Sequence, residues 1–560
     1  MAISIKKMEG LWSNPVIARD MRVRLRGGRA FVNQGIYLVL LSLIAMMGYA
    51  MSTRDGQMGM MDPVAAQQSL RQFYYFIFTT LGGLVSVIAP ALTAVAIVSE
   101  RQRLTLDLLV TTPMTAMRML TGKLLSSLAF LMLLLIMSLP LSSLCVILGG
   151  ATISDVAQAY SFLITDGLVF AAIGLAFSCT AKNNSQAILF TYGAVALLVI
   201  VTGMTGSLVV SYGFSGRPAS GLPLCSVLSV LCPFLVSIIP STSVSVFGLN
   251  VPLWIASGIL NVLLIRVILT GAALKIGMYG PTLIRSLRIQ VLLLTALGGY
   301  IVSTLFTARP FMGGGFDSRW MFYIWFGMVC FLSLFMPALF GPHAPEDDPP
   351  GATFKEWYAP RRALSADYAG ALPYFHMWLT CLMGGTLIGA AIVSAGSTGT
   401  LATSVSGLYM GSAAIPSSGR GFDQLCNIAP AAWFYLSALG FLAWSIARRA
   451  AWISTGSAPA RAMTFLVFAF ILLAPGLVLL TTNSVNDNPA NESSLLVQLW
   501  LLAPLSIGNG SAFRYGGDSA LLMRSGALAY FLGTIIYPFW LAITPGAGSR
   551  KAARTAKETG

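Results

Sequence analysis

The sequence predicts an all-α integral membrane protein of about twelve transmembrane helices, and three observations predict it. Hydrophobic residues make up 56% of the 560-residue chain and charged residues only 9%, against roughly 25% charged residues in a soluble domain. Apolar runs recur from residue 30 to residue 544, most of them close to the ~20 residues that cross a hydrocarbon core as a helix. The basic residues are also sorted. With the N-terminus in the cytoplasm, 25 of the 34 Lys and Arg fall in cytoplasmic segments, 8 fall outside, and Arg266 lies in the membrane. The +15 net charge therefore reads as a positive-inside topology signal, not as a nucleic-acid surface. Both termini are expected in the cytoplasm of a multi-pass protein.

The expected spans are 30–51, 73–98, 124–148, 157–179, 186–211, 251–275, 289–307, 320–341, 373–394, 429–447, 463–482 and 526–544. Two further apolar runs, 227–239 and 495–506, are too short to span and each contains a proline. An even span count leaves them as re-entrant or interfacial pieces on the outer face. The first run is too long for a signal h-region and no small-x-small site follows it, so no cleaved leader is expected. The seven cysteines form no CxxC pair and there are only two histidines. The cysteines read as small buried hydrophobes, and no metal centre is expected.

Residues 12–29, WSNPVIARDMRVRLRGGR, precede the first span. Asn14 is a capping amide and Pro15 suits the first helical position. Arg19, Arg22, Arg26 and Arg29 follow at spacings of 3, 4 and 3, with Ile17, Met21 and Leu25 opposite. Such a helix lies in the headgroup plane, each arginine drawn to anionic lipid by about 1 kcal/mol.

Between spans 2 and 3 runs VSERQRLTLDLLVTTPMTAMRMLTGK, residues 98–123. Glu100, Arg103 and Asp107 share one helical face, while Leu104, Leu108 and Leu109 form an apolar edge that no lipid covers. Pro113 should end a first short helix near Thr112, and Thr112-Pro113 should start a second. Arg118 and Lys123 then bring the chain back to the interface. A connector like this can dock a soluble partner and pass its motion into two spans at once.

Taken in order, NPVIARDMRVRLRGGR, one span, and then SERQRLTLDLLVTTP followed by GKLL after the second span resemble the permeases of export-type (type 2) ATP-binding-cassette transporters. The resemblance covers about residues 12–200. It implies that 14–29 is an elbow helix, with Asn14, Pro15, Arg19, Arg22 and Arg26 in it. It implies that 99–122 is the segment docking on an ATP-binding subunit, with Glu100, Arg101, Arg103, Thr105, Leu106, Leu108, Leu109, Thr112 and Pro113 as coupling residues. It further implies a permease of the cell (inner) membrane that moves a substrate with ATP hydrolysed by a separate ATPase. No catalytic residue and no cofactor would belong to this chain; ATP and Mg would sit on the partner. The remaining partners would be membrane lipids and a second permease chain, the same or different, and no nucleic acid. Glu100→Ala or Leu108→Asp is then expected to leave the chain stable but uncoupled.

A nucleotide-binding loop needs GxxxxGK[ST], whereas Gly122-Lys123 is followed by Leu124 and preceded by Met117 where the first glycine belongs. There is no GxSxG or HExxH, and Glu346-Asp347-Asp348 reads as a solvated acidic patch. Asp166 falls in the middle of span 4, where a charge costs at least about 2.5–3.5 kcal/mol, and Arg266 lies within span 6. The two either pair across helices, or stand apart with Asp166 bonded to backbone and Arg266 snorkelling. An ion-gradient-driven secondary transporter working through Asp166 and Arg266 is the alternative reading.

The twelve spans divide into six-span halves, 1–285 and 286–560. The second half repeats the layout, with a long loop at 342–372 and a short apolar run before its last span. That loop lacks the Ser-Glu-Arg start and the leucine edge. Two arrangements stay open: one chain builds a complete pathway from a divergent repeat, or two chains pair through their first halves.

Overall fold

Helix dominates wherever the chain is described. The structure, a computed structural model, describes residues 28–56, 63–103, 115–214, 227, 230–234, 243–246, 249–276, 281–307, 360–364, 371–398, 420–453, 462–464, 466–467 and 523–535. Eight helical stretches among these are long and apolar enough to cross a membrane, so the chain is an all-α, multi-pass membrane protein. The expected span 320–341 lies outside the described residues, and 463–482 and 526–544 are described only in part. The chain divides into two compact units, Met1–Gln290 and Val291–Gly560.

In the first unit the helices are α1 (Gly28–Gly56), α2 (Pro63–Ala94), α3 (Val98–Gln102), α4 (Ala116–Ile147), α5 (Ile153–Thr180), α6 (Asn184–Phe214) and α7 (Leu253–Lys275). Helix α8 (Pro281–Thr307) begins in this unit and ends in the second. Helix α5 is the hub, packing on α2, α4, α6 and α7. Its sequence explains why. Gly167, Ala171, Gly174 and Ser178 recur at intervals of 4, 3 and 4, which lets α2 come close. The Thr93 hydroxyl donates to the Ala171 carbonyl at 2.8 Å, and a Cβ on Gly174 would run into Thr93 and the Pro90 carbonyl. Lipid tails are as apolar as leucine, so close packing and interhelical hydrogen bonds hold such a bundle together.

The α4–α5 turn is closed by its own backbone. Gly149 takes φ +83°, the Gly150 amide reaches the Cys145 carbonyl at 2.9 Å, and the Gly149 amide reaches Val146 at 3.1 Å. This pair of bonds ends a helix on a glycine, because a side chain there would be strained. Gly150 also backs onto the Leu70 carbonyl, leaving no room for a Cβ. Thr152 and Asp155 then form a reciprocal capping box that starts α5. Further along, Ser138, Tyr160 and Ser142 form a hydroxyl chain at 2.8 and 3.0 Å between α4 and α5.

Part of the short apolar run at 227–239 sits against the middle of α2. The Pro233 carbonyl lies on Gly82, and the Thr79 hydroxyl donates to the Phe234 carbonyl at 3.4 Å. Gly82 is twelve residues along α2 from Leu70, about 18 Å at 1.5 Å per residue. The sequence expectation omitted the next element. Strands β1 (Ser243–Val246) and β2 (Leu249–Pro252) pair antiparallel, with Val246 opposite Leu249. The alternation Ser-Val-Ser-Val has the two-residue period of a strand. Helix α7 consequently starts at Leu253, where a span beginning at 251 was expected.

The second unit contains α9 (Ala371–Thr398), α10 (Arg420–Ile453) and α11 (523–535). Gly299 of α8 and Gly385 of α9 each back onto the other helix's main chain. Helix α10 packs on α9, where the Trp433 indole donates to Thr380 at 3.2 Å. Gly526 and Gly533 of α11, seven residues apart, lie on Phe434 and Phe441 of α10, also seven apart.

Candidate functional site

The connector that follows span 2 begins at a break in the helix. Helix α2 stops at Ala94 and α3 resumes at Val98, interrupting the i→i−4 ladder. Interrupted backbone is tolerated at membrane depth only where its polar groups find partners, and here neighbouring helices provide them. The Ser178 hydroxyl of α5 accepts the amides of Ile97 and Val98 at 2.9 and 3.2 Å. The Lys123 ammonium of α4 reaches the Ala96 carbonyl at 3.4 Å and the Glu100 carboxylate at 2.8 Å.

Arg101 closes the arrangement from the other side. Its guanidinium donates to the Cys179 carbonyl at 2.8 Å and the Ala181 carbonyl at 3.1 Å. Cys179 lies in the last turn of α5 and Ala181 caps its C-terminal end, where carbonyls lack helical partners and the helix dipole favours a cation. Beneath it Val98, Ala181 and Ala187 form a small apolar cluster joining α3 to the α5–α6 turn and the start of α6. The ends of α2, α4, α5 and α6 thus meet on α3.

Glu100 pairs with Lys123, 23 residues on, where the sequence placed it on one face with Arg103 and with Asp107, which lies outside the described residues; the Glu100 and Lys123 side chains are only 14% and 7% exposed. A pair with its lysine buried makes Glu100→Ala a destabilising change, since the Lys123 ammonium then loses its carboxylate. The helix after the connector is capped by Thr115, whose hydroxyl accepts the Arg118 amide, and continues unbroken into the span; a separate short helix capped by Thr112 was expected. Arg103 is exposed. Thr105, Leu106, Leu108, Leu109, Thr112 and Pro113 lie outside the described residues, as do Asn14, Pro15, Arg19, Arg22 and Arg26.

Asp166 is fully buried at the middle of α5. It accepts from the Asn261 amide of α7 at 3.4 Å, while its second oxygen and the Asn261 carbonyl oxygen are buried with no hydrogen-bond partner among the described residues. Arg266 sits five residues beyond Asn261 and is exposed, so α7 contributes an asparagine to Asp166 where an arginine was one of the two expected arrangements. Sequence reasoning missed Asn261, Ser178 and the inward turn of Lys123. The one available signal was Ser178, the fourth member of the small-residue ladder on α5. Among the described residues no group of three His, Cys, Asp or Glu side chains could hold a metal ion.

Eight membrane-length apolar helices among the described residues define the class of a multi-pass membrane protein. Residues 15–245 match a known family, described as ABC-2 family transporter protein. The match is consistent with an ABC type-2 permease and agrees with the resemblance read from the elbow and connector motifs. No curated protein matches the chain.

Proposed function

We propose that this chain is the membrane-spanning permease subunit of an ATP-binding-cassette transporter, moving its substrate across or out of the membrane with ATP hydrolysed by a separate ATPase. The observation that carries the reading is the family match over residues 15–245, which includes the connector between α2 and α4. In this reading residues 99–122 dock on the ATPase and residues 14–29 lie as an elbow helix at the inner surface of the cell membrane. Both termini are cytoplasmic, and twelve spans fall into a permease half, 1–285, and a second six-span half, 286–560. ATP and Mg are held by the partner, not by this chain. Nucleotide-driven closure of two ATPase subunits pushes the connectors and tilts the helices joined to them.

The test is purification of the full chain from native membranes, followed by identification of co-purifying proteins and an ATPase assay in lipid vesicles. An ATP-binding-cassette ATPase should co-purify, and its hydrolysis should change when the permease is present. A chain that purifies alone and moves cargo on an ion gradient without ATP would establish the secondary-transporter reading instead.

A further inference from the structure

We propose that the helix driven by the connector is α5, together with α6, and that Ser178 and Arg101 are the positioning residues that transmit the motion. The inference rests on the permease reading above. By chain connectivity alone a push on the connector would reach α2 and α4, the two helices it joins. The geometry points to a wider transmission. Ser178 holds the two amides at the start of α3, and Arg101, on that short helix, holds the Cys179 and Ala181 carbonyls at the C-terminal end of α5. One contact runs from α5 to α3 and the other from α3 to α5, so neither end can slide without breaking charge-assisted or buried hydrogen bonds. The Val98–Ala181–Ala187 cluster carries the same attachment into α6.

The break at 95–97 gives this clasp its mechanical meaning. An unbroken α2 would move α3 only as a rigid extension of itself. With the ladder interrupted at the Ile97 and Val98 amides, Ser178 and Arg101 fasten α3 to α5 directly and not only through α2. Helix α5 is the one packed on α2, α4, α6 and α7, and it holds the buried Asp166–Asn261 contact with α7. Tilting it repacks the centre of the first unit, whereas tilting a peripheral helix would not.

The test uses the full chain with its co-purifying ATPase in lipid nanodiscs. Ketone-bearing amino acids at Val32 of α1 and Leu189 of α6, both exposed, carry spin labels and leave the natural cysteines in place. Electron–electron distances are measured without nucleotide and after trapping with ATP and vanadate. In the parent protein the α1–α6 distance should shift on trapping. Ser178→Ala should reduce the trapped fraction showing that shift about tenfold, the scale set by leaving two buried amides without an acceptor. It should not reduce ATPase co-purification, because Ser178 faces inward. Ser178→Thr, which keeps the hydroxyl, should restore the shift, a rescue that a merely space-filling role would not require. Arg101→Lys, which keeps charge but not the two-pronged donor geometry, should give an intermediate fraction. A full shift in Ser178→Ala, or no shift in the parent despite bound ATPase, overturns the clasp and leaves the permease reading standing. Failure of the parent to capture any ATPase overturns both.

Discussion

Lys123 shows how a single side chain can carry the junction. A lysine at the end of a span would ordinarily reach for water or headgroups, yet this one is buried and is shared between Glu100 and the Ala96 carbonyl. Lys123→Ala should lower stability by about 1.5–3 kcal/mol, because the half-buried Glu100 carboxylate loses its 2.8 Å bond to the ammonium. Thermal unfolding in detergent checks this, and the double change Glu100→Met with Lys123→Met should unfold later than either single variant. Losses that simply add would show that the pair contributes nothing as a pair. Asp166 poses a parallel question at the middle of the bundle. A double-mutant cycle between Asp166→Leu and Asn261→Leu should give a coupling of about 0.6–1.7 kcal/mol, the range for interhelical hydrogen bonds in membranes. The cycle between Asp166→Leu and Arg266→Leu should be additive to within about 0.5 kcal/mol, since Arg266 is exposed. Coupling in the second cycle and none in the first would reverse the assignment.

At the scale of elements, the crossing of α2 and α5 depends on what α5 lacks. Gly174 stands over Thr93 and the Pro90 carbonyl with no space for a Cβ, so Gly174→Val must push the helices apart. The expected cost is about 1–3 kcal/mol or more, read as a lower unfolding temperature and poorer yield. Gly193 of α6 has no atom within 4 Å of where its Cβ would be, and Gly193→Ala should change stability by no more than about 0.5 kcal/mol. Equal effects of the two substitutions would mean the α2–α5 approach is not tight. Glycine content alone does not separate these positions. Both lie in apolar helices, and only the neighbour across the interface distinguishes them.

For the whole molecule, the sides on which the loops lie fix the span count and its orientation. Arg361 lies in a short 3-10 turn at Pro360–Arg362 and is exposed. In the twelve-span arrangement it belongs to a cytoplasmic loop, so Arg361→Cys should react with a membrane-impermeant maleimide only after cells are permeabilised. Ser417→Cys, in the loop expected outside, should react in intact cells. Labelling of residue 361 from outside would remove one span from the count or add one. The orientation itself rests on the lysine and arginine distribution, which sets topology during insertion through short loops near the spans.

What the sequence by itself determined was where helices cross and which end is basic. Hydropathy sums over neighbours in the chain, and lipid leaves the helix as nearly the only way to satisfy such a backbone. The membrane class, most of the described spans and the ABC-2 transporter resemblance were legible for that reason. The beta hairpin was present in the alternating Ser-Val-Ser-Val but obscured by the longer apolar run that follows it. Partners across helices were not legible. Spacing rules compare residues three or four apart, and they put Glu100 beside Arg103. In the fold Glu100 meets Lys123, Arg101 meets a carbonyl 80 residues away, and Asp166 meets Asn261 across 95 residues. Only the tertiary structure decided these, because they follow from how close α5's small residues let its neighbours approach and from the break that turns α3 onto the end of α5.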